Sequence, residues 1–295
     1  MKIQIALFFA DGRAYFLGVI LVIVGLLLLA GRKTRKPTRR PRILLIAGAL
    51  IILLSSTPAP IWFYALWLIV TIGWLIHHAE PILKPGAGIA LRFGSLLFCV
   101  AAIAMEVPYR LMPKLEPQGP GKVYVIGDSL SAGTGSGEKT WPKVLAAGGG
   151  VEVVDLSAPG ATAGTAMAQA QQVPQGPAIV VVEIGGNDLL GGPSNGDFER
   201  DLRQLLQALK APSRRIVMFE LPLPPFCNGY GRIQRRLASE FDAVLIPKRV
   251  LAGVIGSARG TLDGLHLSEE GHREIADTVR RIIGPSAAAA APAPQ

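Results

Sequence analysis

Hydrophobic and polar positions follow two different rules along this chain, and the change falls near residue 107. Between residues 14 and 107 Leu, Ile, Val, Ala and Trp dominate. The uncharged run "YFLGVILVIVGLLLLAG", residues 15–31, is about long enough to cross a bilayer as one helix. Four spans are predicted, at 14–31, 43–57, 61–77 and 89–107. The second is short and the third borderline, and "PAP" at 58–60 breaks the run between them, so this pair reads as a tight helical hairpin. Arg92 lies near one end of the fourth span, where a long side chain reaches the interface.

Beyond a Pro- and Gly-punctuated linker at 109–121 the pattern becomes that of a water-soluble domain, 122–285. Short β-branched runs at 123–126, 151–156, 178–184, 215–221 and 243–246 read as strands. Between them, segments such as "DFERDLRQLLQALK" place apolar residues at helical spacing and charges on the opposite face. Strands apolar on both faces, alternating with helices, imply a parallel sheet of about five strands between two helical layers, an α/β/α domain. A last helix at 268–283 closes it, and "PSAAAAAPAPQ" is low-complexity, so 286–295 is expected to be a disordered tail.

Composition sharpens the membrane reading. Of the 295 residues 50% are hydrophobic, and mean hydropathy is +0.39, more apolar than an average soluble protein. Much of the +9 net charge sits in "RKTRKPTRRPR", 32–42. A basic loop between two spans is a topology signal rather than a nucleic-acid site, so nucleic-acid binding is set aside. Asp11 and Arg13 interrupt the N-terminal apolar stretch and no small-residue cleavage site follows the first span, so a cleaved signal peptide is not expected. With the loop cytoplasmic, the soluble domain lies outside a bacterial inner membrane. Removing the doubtful hairpin takes away two crossings and leaves that side unchanged. Cys99 falls in a span and Cys227 is alone in the soluble domain, so no disulfide and no Cys-rich zinc site are expected there.

The loop after the first strand, "IGDSLSAGTGSGEKT", fits two chemistries. Its end is one residue away from the phosphate-cradling pattern G-x-x-x-x-G-K-[ST], but Glu138 stands where glycine is required and brings a negative charge to an anion site. The same residue breaks a dinucleotide fingerprint. The beginning of the loop exposes Ser129 just past a strand, where a nucleophile can sit. A serine needs a base, and the chain has four histidines. His77 and His78 end a span, and His272 falls in the first turn of the last helix, where an exposed structural role is expected. His266 has Asp263 three residues ahead in "TLDGLHLSEEGH", close enough for the carboxylate to hold one ring nitrogen.

Taken together, "IGDSLSAG", the loop glycine of "SAPGAT", "GGND" and a terminal "DGLH" resemble, in order, the four blocks of the SGNH (GDSL-type) hydrolases, nearest to the lysophospholipase/thioesterase and arylesterase branch. The resemblance implies a flavodoxin-like domain and makes Ser129 the nucleophile, His266 the base and then acid, and Asp263 its orienting carboxylate. The oxyanion donors would be the Ser129 and Gly160 N–H groups and the Asn187 side-chain amide. Asp128 and Asp188 read as loop-bracing residues. No cofactor or metal is called for, and the serine is not in a G-x-S-x-G elbow. The reaction implied is hydrolysis of an acyl ester or thioester through an acyl-serine. Placement outside the membrane disfavours acyl-CoA and leaves O-acylated envelope glycans or lipids. Short acyl groups fit the Gly- and Ala-rich loops, whereas Phe226 and Tyr230, in a loop expected to be mobile, are candidates to hold a fatty chain or stack on a sugar. A transferase, and a non-catalytic membrane-anchored binding protein on the same fold, are the competing readings.

Overall fold

A computed structural model describes residues 2–30, 39–80, 82–115, 122–135, 137–192, 194–264 and 266–284. It divides into two compact units, Met1–Arg110 with Leu223–Asn228, and Leu111–Pro222 with Gly229–Gln295. The tail at 286–295 and most of the basic loop lie outside the described residues.

The first unit is helical: α1 (Lys2–Ala10), α2 (Arg13–Ala30), α3 (Arg39–Leu54), α4 (Ile61–Ala79) and α5 (Pro85–Glu106), the last continued by a 3₁₀ turn at Val107–Arg110. Among the described residues three helical stretches, rather than the four expected, are long and apolar enough to cross a membrane: Arg13–Ala30, Ile61–Ala79 and Gly86–Arg110. The exception is α3. It has 16 residues, and its first turn carries Arg39, Arg40 and Arg42. At 1.5 Å per residue it is about 24 Å long against a hydrocarbon core of about 30 Å.

The packing of α3 has its own logic. A Cβ on Gly18 of α2 would lie 2.8 Å from Gly48 O and 2.7 Å from Ile52, and one on Gly25 would lie 2.8 Å from Leu45. Residue numbers rise along α2 as they fall along α3, so the two helices are antiparallel with their backbones in contact through glycine. Outside this seam, Ile46, Leu50 and Leu53 of α3 are exposed, as are Ile69 of α4 and Leu97 of α5.

In the second unit the strands are β1 (Lys122–Gly127), β2 (Glu152–Asp155), β3 (Ala178–Glu183), β4 (Arg214–Phe219) and β5 (Val244–Ile246), all parallel and in the order β2-β1-β3-β4-β5. All five expected strands are present, with ends shifted by a residue or two. The helices are α6 (Ser129–Ala132), α7 (Trp141–Ala147), α8 (Met167–Ala170), α9 (Gly186–Gly191), α10 (Asn195–Leu209), α11 (Asn228–Glu240), α12 (Arg249–Gly256) and α13 (Glu269–Ile283).

Alternation along the strands builds two cores. Val123, Val125, Val181, Val217 and Phe219 face one way and pack with Trp141, Leu251, Val254, Ile275 and Val279 from α7, α12 and α13. The intervening Tyr124, Ile126, Val180, Val182, Ile216 and Met218 are buried too, and the remaining buried helical leucines come from α10 and α11. Leu115, within the segment expected as linker, is buried in the first core and its N–H donates to Ile282 O at 2.8 Å. In this sheet β2 is added on one side of β1 and β3 to β5 on the other, so the winding reverses between β1 and β3, and such switch points open a crevice at the carboxyl ends of the strands.

Candidate active site

Ser129 opens α6 immediately after β1. Asp128 caps that short helix, its Oδ1 accepting from Leu130 N at 2.9 Å. The end of β1 is clamped by the buried Gln169, whose Oε1 accepts from Gly127 N and whose Nε2 donates to Gly127 O, each at 3.0 Å. Gly127 has no room for a side chain, since a Cβ there would lie 2.4 Å from Ser131 Oγ. The nucleophile loop is therefore fixed from beneath, while Ser129 itself is half-exposed.

After β2, Pro159 and Gly160 form a turn closed by Ala161 N donating to Ala158 O at 3.2 Å. Gly160 sits at φ +75°, the left-handed region that this turn position demands, and a Cβ on it would meet nothing within 4 Å. The N–H groups of Ser129 and Gly160 have no acceptor among the described residues. After β3, Asn187 lies in α9. Its Nδ2 donates to Asp128 Oδ2 at 3.1 Å and to Ala161 O at 3.0 Å, so both amide hydrogens are taken, and an oxyanion must share one of them. Asp188 is buried beneath the same turn, accepting from Ala163 N at 3.0 and 3.2 Å, which gives it the bracing place expected of it. Burial pushes its carboxyl above the ordinary range, and the Ala163 N–H works against that rise.

Asp263 and His266 occupy a loop pinched at its base by an antiparallel bridge between Thr261 and Leu267. Asp263 Oδ1 accepts from His266 N at 2.8 Å, and Oδ2 lies 2.7 Å from His266 Nδ1. One carboxylate thus fixes both the backbone and the ring, assigning the proton to Nδ1 and leaving Nε2 as the basic atom. Among the described residues Ser129 Oγ has no hydrogen-bond partner, and the serine–histidine bond is not closed. Such bonds in unliganded sites commonly tighten only around substrate.

The phosphate question has a structural answer. The loop does hold an anion, and the anion is Glu138. Its Oε2 accepts from Thr134 N at 2.7 Å and Gly135 N at 3.3 Å, and Oε1 takes His272 Nε2 at 2.9 Å. Burial works against ionisation here, but the Thr134 N–H and His272 outweigh it and lower the carboxyl. His272 is buried rather than exposed, because its Nδ1 accepts from Trp141 N at 3.1 Å while Nε2 serves Glu138. Tyr230 is also withdrawn from any cleft. It is buried, stacked on Phe198 with ring centroids 4.5 Å apart, and its hydroxyl donates to Asp188 O. The segment 228–232, expected as loop, is the start of α11, while Phe226 is 72% exposed.

One group beneath the serine was not anticipated. Glu183, the last residue of β3, is buried next to Asp128. Its Oε2 accepts from Ser131 Oγ at 2.9 Å and from Asp128 N at 3.4 Å, and Oε1 is buried with no donor on it. Burial first, and then the neighbouring charge of Asp128, push Glu183 well above the ordinary carboxylate range. Burial likewise raises Asp128, against the Leu130 N–H.

Comparison with known proteins defines the class. A profile of the GDSL-like lipase/acylhydrolase family matches residues 125–274. The chain belongs to that family and is an ester-bond hydrolase. Among relatives it is 32% identical to "Thioesterase 1/protease 1/lysophospholipase L1" of Escherichia coli over 173 residues, 55% of this chain and 83% of that protein. It is 30% identical to "Arylesterase" of Vibrio mimicus over 198 residues, 62% of this chain and 92% of the relative. A psychrotrophic esterase from Pseudoalteromonas sp., solved with monoethylphosphonate, aligns over 55% of this chain and 96% of its own at 22% identity and a TM-score of 0.49.

Proposed function

We propose that this protein is a membrane-anchored serine esterase. Ser129 Oγ attacks the acyl carbonyl as His266 Nε2 takes its proton, and Asp263 stabilises the imidazolium that forms. The oxyanion is received by the Ser129 and Gly160 N–H groups and one shared hydrogen of Asn187. His266 then returns the proton to the leaving alcohol, and water repeats the cycle on the acyl-serine. The observation that carries this reading is the Asp263 carboxylate held 2.7 Å from His266 Nδ1, together with Ser129 and Gly160 N–H groups that have no acceptor among the described residues.

Four crossings remain the preferred topology, because α3 lies antiparallel along α2 through the Gly18–Gly48 seam and carries outward-facing Ile46, Leu50 and Leu53. Three crossings then separate the basic loop from the catalytic domain and place it in the periplasm. There the accessible esters are O-acyl groups of envelope glycans, and the open, side-chain-free space at Gly160 suits a short acyl group. A second reading, longer acyl chains of lipids, is favoured by Leu190 and Leu262. These are about 70% exposed beside the Asn187 and Asp263 positions.

Two measurements test the proposal. A p-nitrophenyl ester series should give its highest kcat/KM at acetate or butyrate, and a maximum at eight carbons or more would establish the lipid reading instead. Alkaline phosphatase fused to the C-terminus should be active and a cytoplasmic fluorescent protein dark. The reverse pattern would put the domain in the cytoplasm and α3 outside the count of crossings.

A further inference from the structure

A second carboxylate–histidine pair takes no part in the mechanism above. His272 Nε2 lies 2.9 Å from Glu138 Oε1, and the imidazole is buried. It is not a second base. His272 Nδ1 accepts from Trp141 N at 3.1 Å, so the ring proton sits on Nε2 and is spent on Glu138. From Trp141 the series of bonds continues through the indole. Nε1 donates to Ser131 Oγ at 3.0 Å, and that hydroxyl donates to Glu183 Oε2 at 2.9 Å, an oxygen that also takes Asp128 N. Ser131 belongs to α6, the helix that Ser129 opens. His272 belongs to the first turn of α13, which begins just after the Asp263–His266 loop. That loop is tied in turn to the start of α13: Ser268 N donates to Gly260 O at 3.0 Å, and Leu262 N donates to His266 O at 2.8 Å. Nucleophile and base thus sit on two elements joined by one buried series, Ser131–Trp141–His272. Glu138 ends the series, and its other oxygen takes Thr134 N at 2.7 Å and Gly135 N at 3.3 Å in the turn that follows α6.

We propose that Glu138 and His272 are positioning residues: together they latch the turn that follows α6 to the first turn of α13, and so hold Ser129 at its working distance from His266. The inference rests on the reading of Ser129 as nucleophile and His266 as base. The serine–histidine bond is not closed, so the elements that carry the two residues, rather than the bond itself, set that distance. A displacement of about 1 Å between reacting groups is enough to cost roughly a hundredfold in rate. The latch also gives a reason for glutamate where a phosphate-cradling loop has glycine. Two backbone N–H groups and an imidazole N–H converge on the Glu138 carboxylate, which supplies from within the chain the anion that such a loop would otherwise bind. Donors face it from both sides, so the site calls for a group that accepts at both oxygens. A carboxylate does this and an amide does not. The Glu138 side chain is 20% exposed, so a small solute can enter its place once the carboxylate is removed.

The test uses the full chain in detergent micelles with a p-nitrophenyl ester. Glu138→Ala should lower kcat roughly a hundredfold at nearly constant KM, and slow fluorophosphonate labelling of Ser129 by a similar factor. Formate, a carboxylate that fits the vacated place, should restore most of both losses in Glu138→Ala and leave the parent unchanged. Glu138→Gln matches the glutamate in shape but offers one acceptor in place of two, so its kcat should fall nearly as far. His272→Leu should show a similar loss, and the double variant Glu138→Ala/His272→Leu no greater loss than the larger single one, because the two residues act through one bond. Parent kcat in Glu138→Ala or Glu138→Gln, a fall in thermal midpoint without a fall in kcat, or no response to formate would overturn the latch. Additive losses in the double variant would overturn it as well. Should His272→Leu fail to fold, the formate response of Glu138→Ala decides alone. Failure of the esterase reading itself would show differently, as a parent without turnover whose Ser129 is not labelled.

Discussion

In the proposed mechanism Ser129 becomes a nucleophile only through His266, and His266 only through Asp263, so the residue scale is where the chemistry is most easily broken. Replacing Asp263 with Asn removes the charge that stabilises the imidazolium and lets the ring adopt the tautomer with Nδ1 unprotonated. Asp263→Asn is expected to lower kcat by about a hundredfold or more with an unchanged circular dichroism spectrum. The parent's rate should rise with pH at the acid end as the base loses its proton. A pH profile of kcat/KM checks both, and a flat acid side would remove His266 as the base. At this scale the sequence was most legible for residues whose neighbours are also constrained, such as "GDSL", "GGND" and "DGLH". Glu183 escaped because it reads as the polar end of the apolar strand "AIVVVE". The usable signal was its oddity, a carboxylate at a strand position whose alternates, Ile179 and Val181, are both apolar. His272 was read as exposed from its place in the first helical turn. Its spacing of three, four and seven to Ile275, Ala276 and Val279 puts it on the buried face of α13.

At the scale of elements, rigidity around the site comes from backbone contacts that only glycine allows and from side-chain amides that replace missing strand partners. Gln169 completes the end of β1, and Gln234 does the same for β4, accepting from Leu221 N and donating to Phe219 O. Gly127→Ala would drive a methyl into Ser131 and, through it, into the Glu183 carboxyl. Overpacking of this kind costs about 1–3 kcal/mol. A fall in thermal midpoint together with a reduced kcat is the expected outcome, and an alanine variant of parent stability would show that α6 yields easily. The strands were readable in advance because burial on both faces leaves short, continuous runs of β-branched residues. The α2–α3 seam was not, since a glycine inside an apolar run gives no sign of which helix will approach it.

Across the whole molecule, the buried carboxyls tie stability to pH. Glu183 and Asp128 have folded-state values raised above their unfolded ones, chiefly by burial. Above the ordinary carboxylate range the unfolded chain has released protons that the folded chain retains, so stability falls as pH rises towards the raised values. Thermal unfolding between pH 5 and 9 is expected to show this decline, and Glu183→Gln to flatten it. An identical slope in parent and variant would assign the pH dependence to other groups. The change near residue 107 was visible from hydropathy alone, since the apolar-rich stretch before it and the strand–helix alternation after it follow different patterns. The count of crossings was not, because a 16-residue helix with arginines at its start lies at the limit where length stops deciding.

The central claim is that Ser129 carries the acyl group. Incubating the full chain with a fluorophosphonate and mapping the modified peptide by mass spectrometry tests it most directly. The adduct should be found on Ser129 and on no other serine, and Ser129→Ala should be unlabelled, folded, and at least about a thousandfold slower in ester turnover. Labelling at a different serine, or undiminished hydrolysis by Ser129→Ala, would contradict the mechanism.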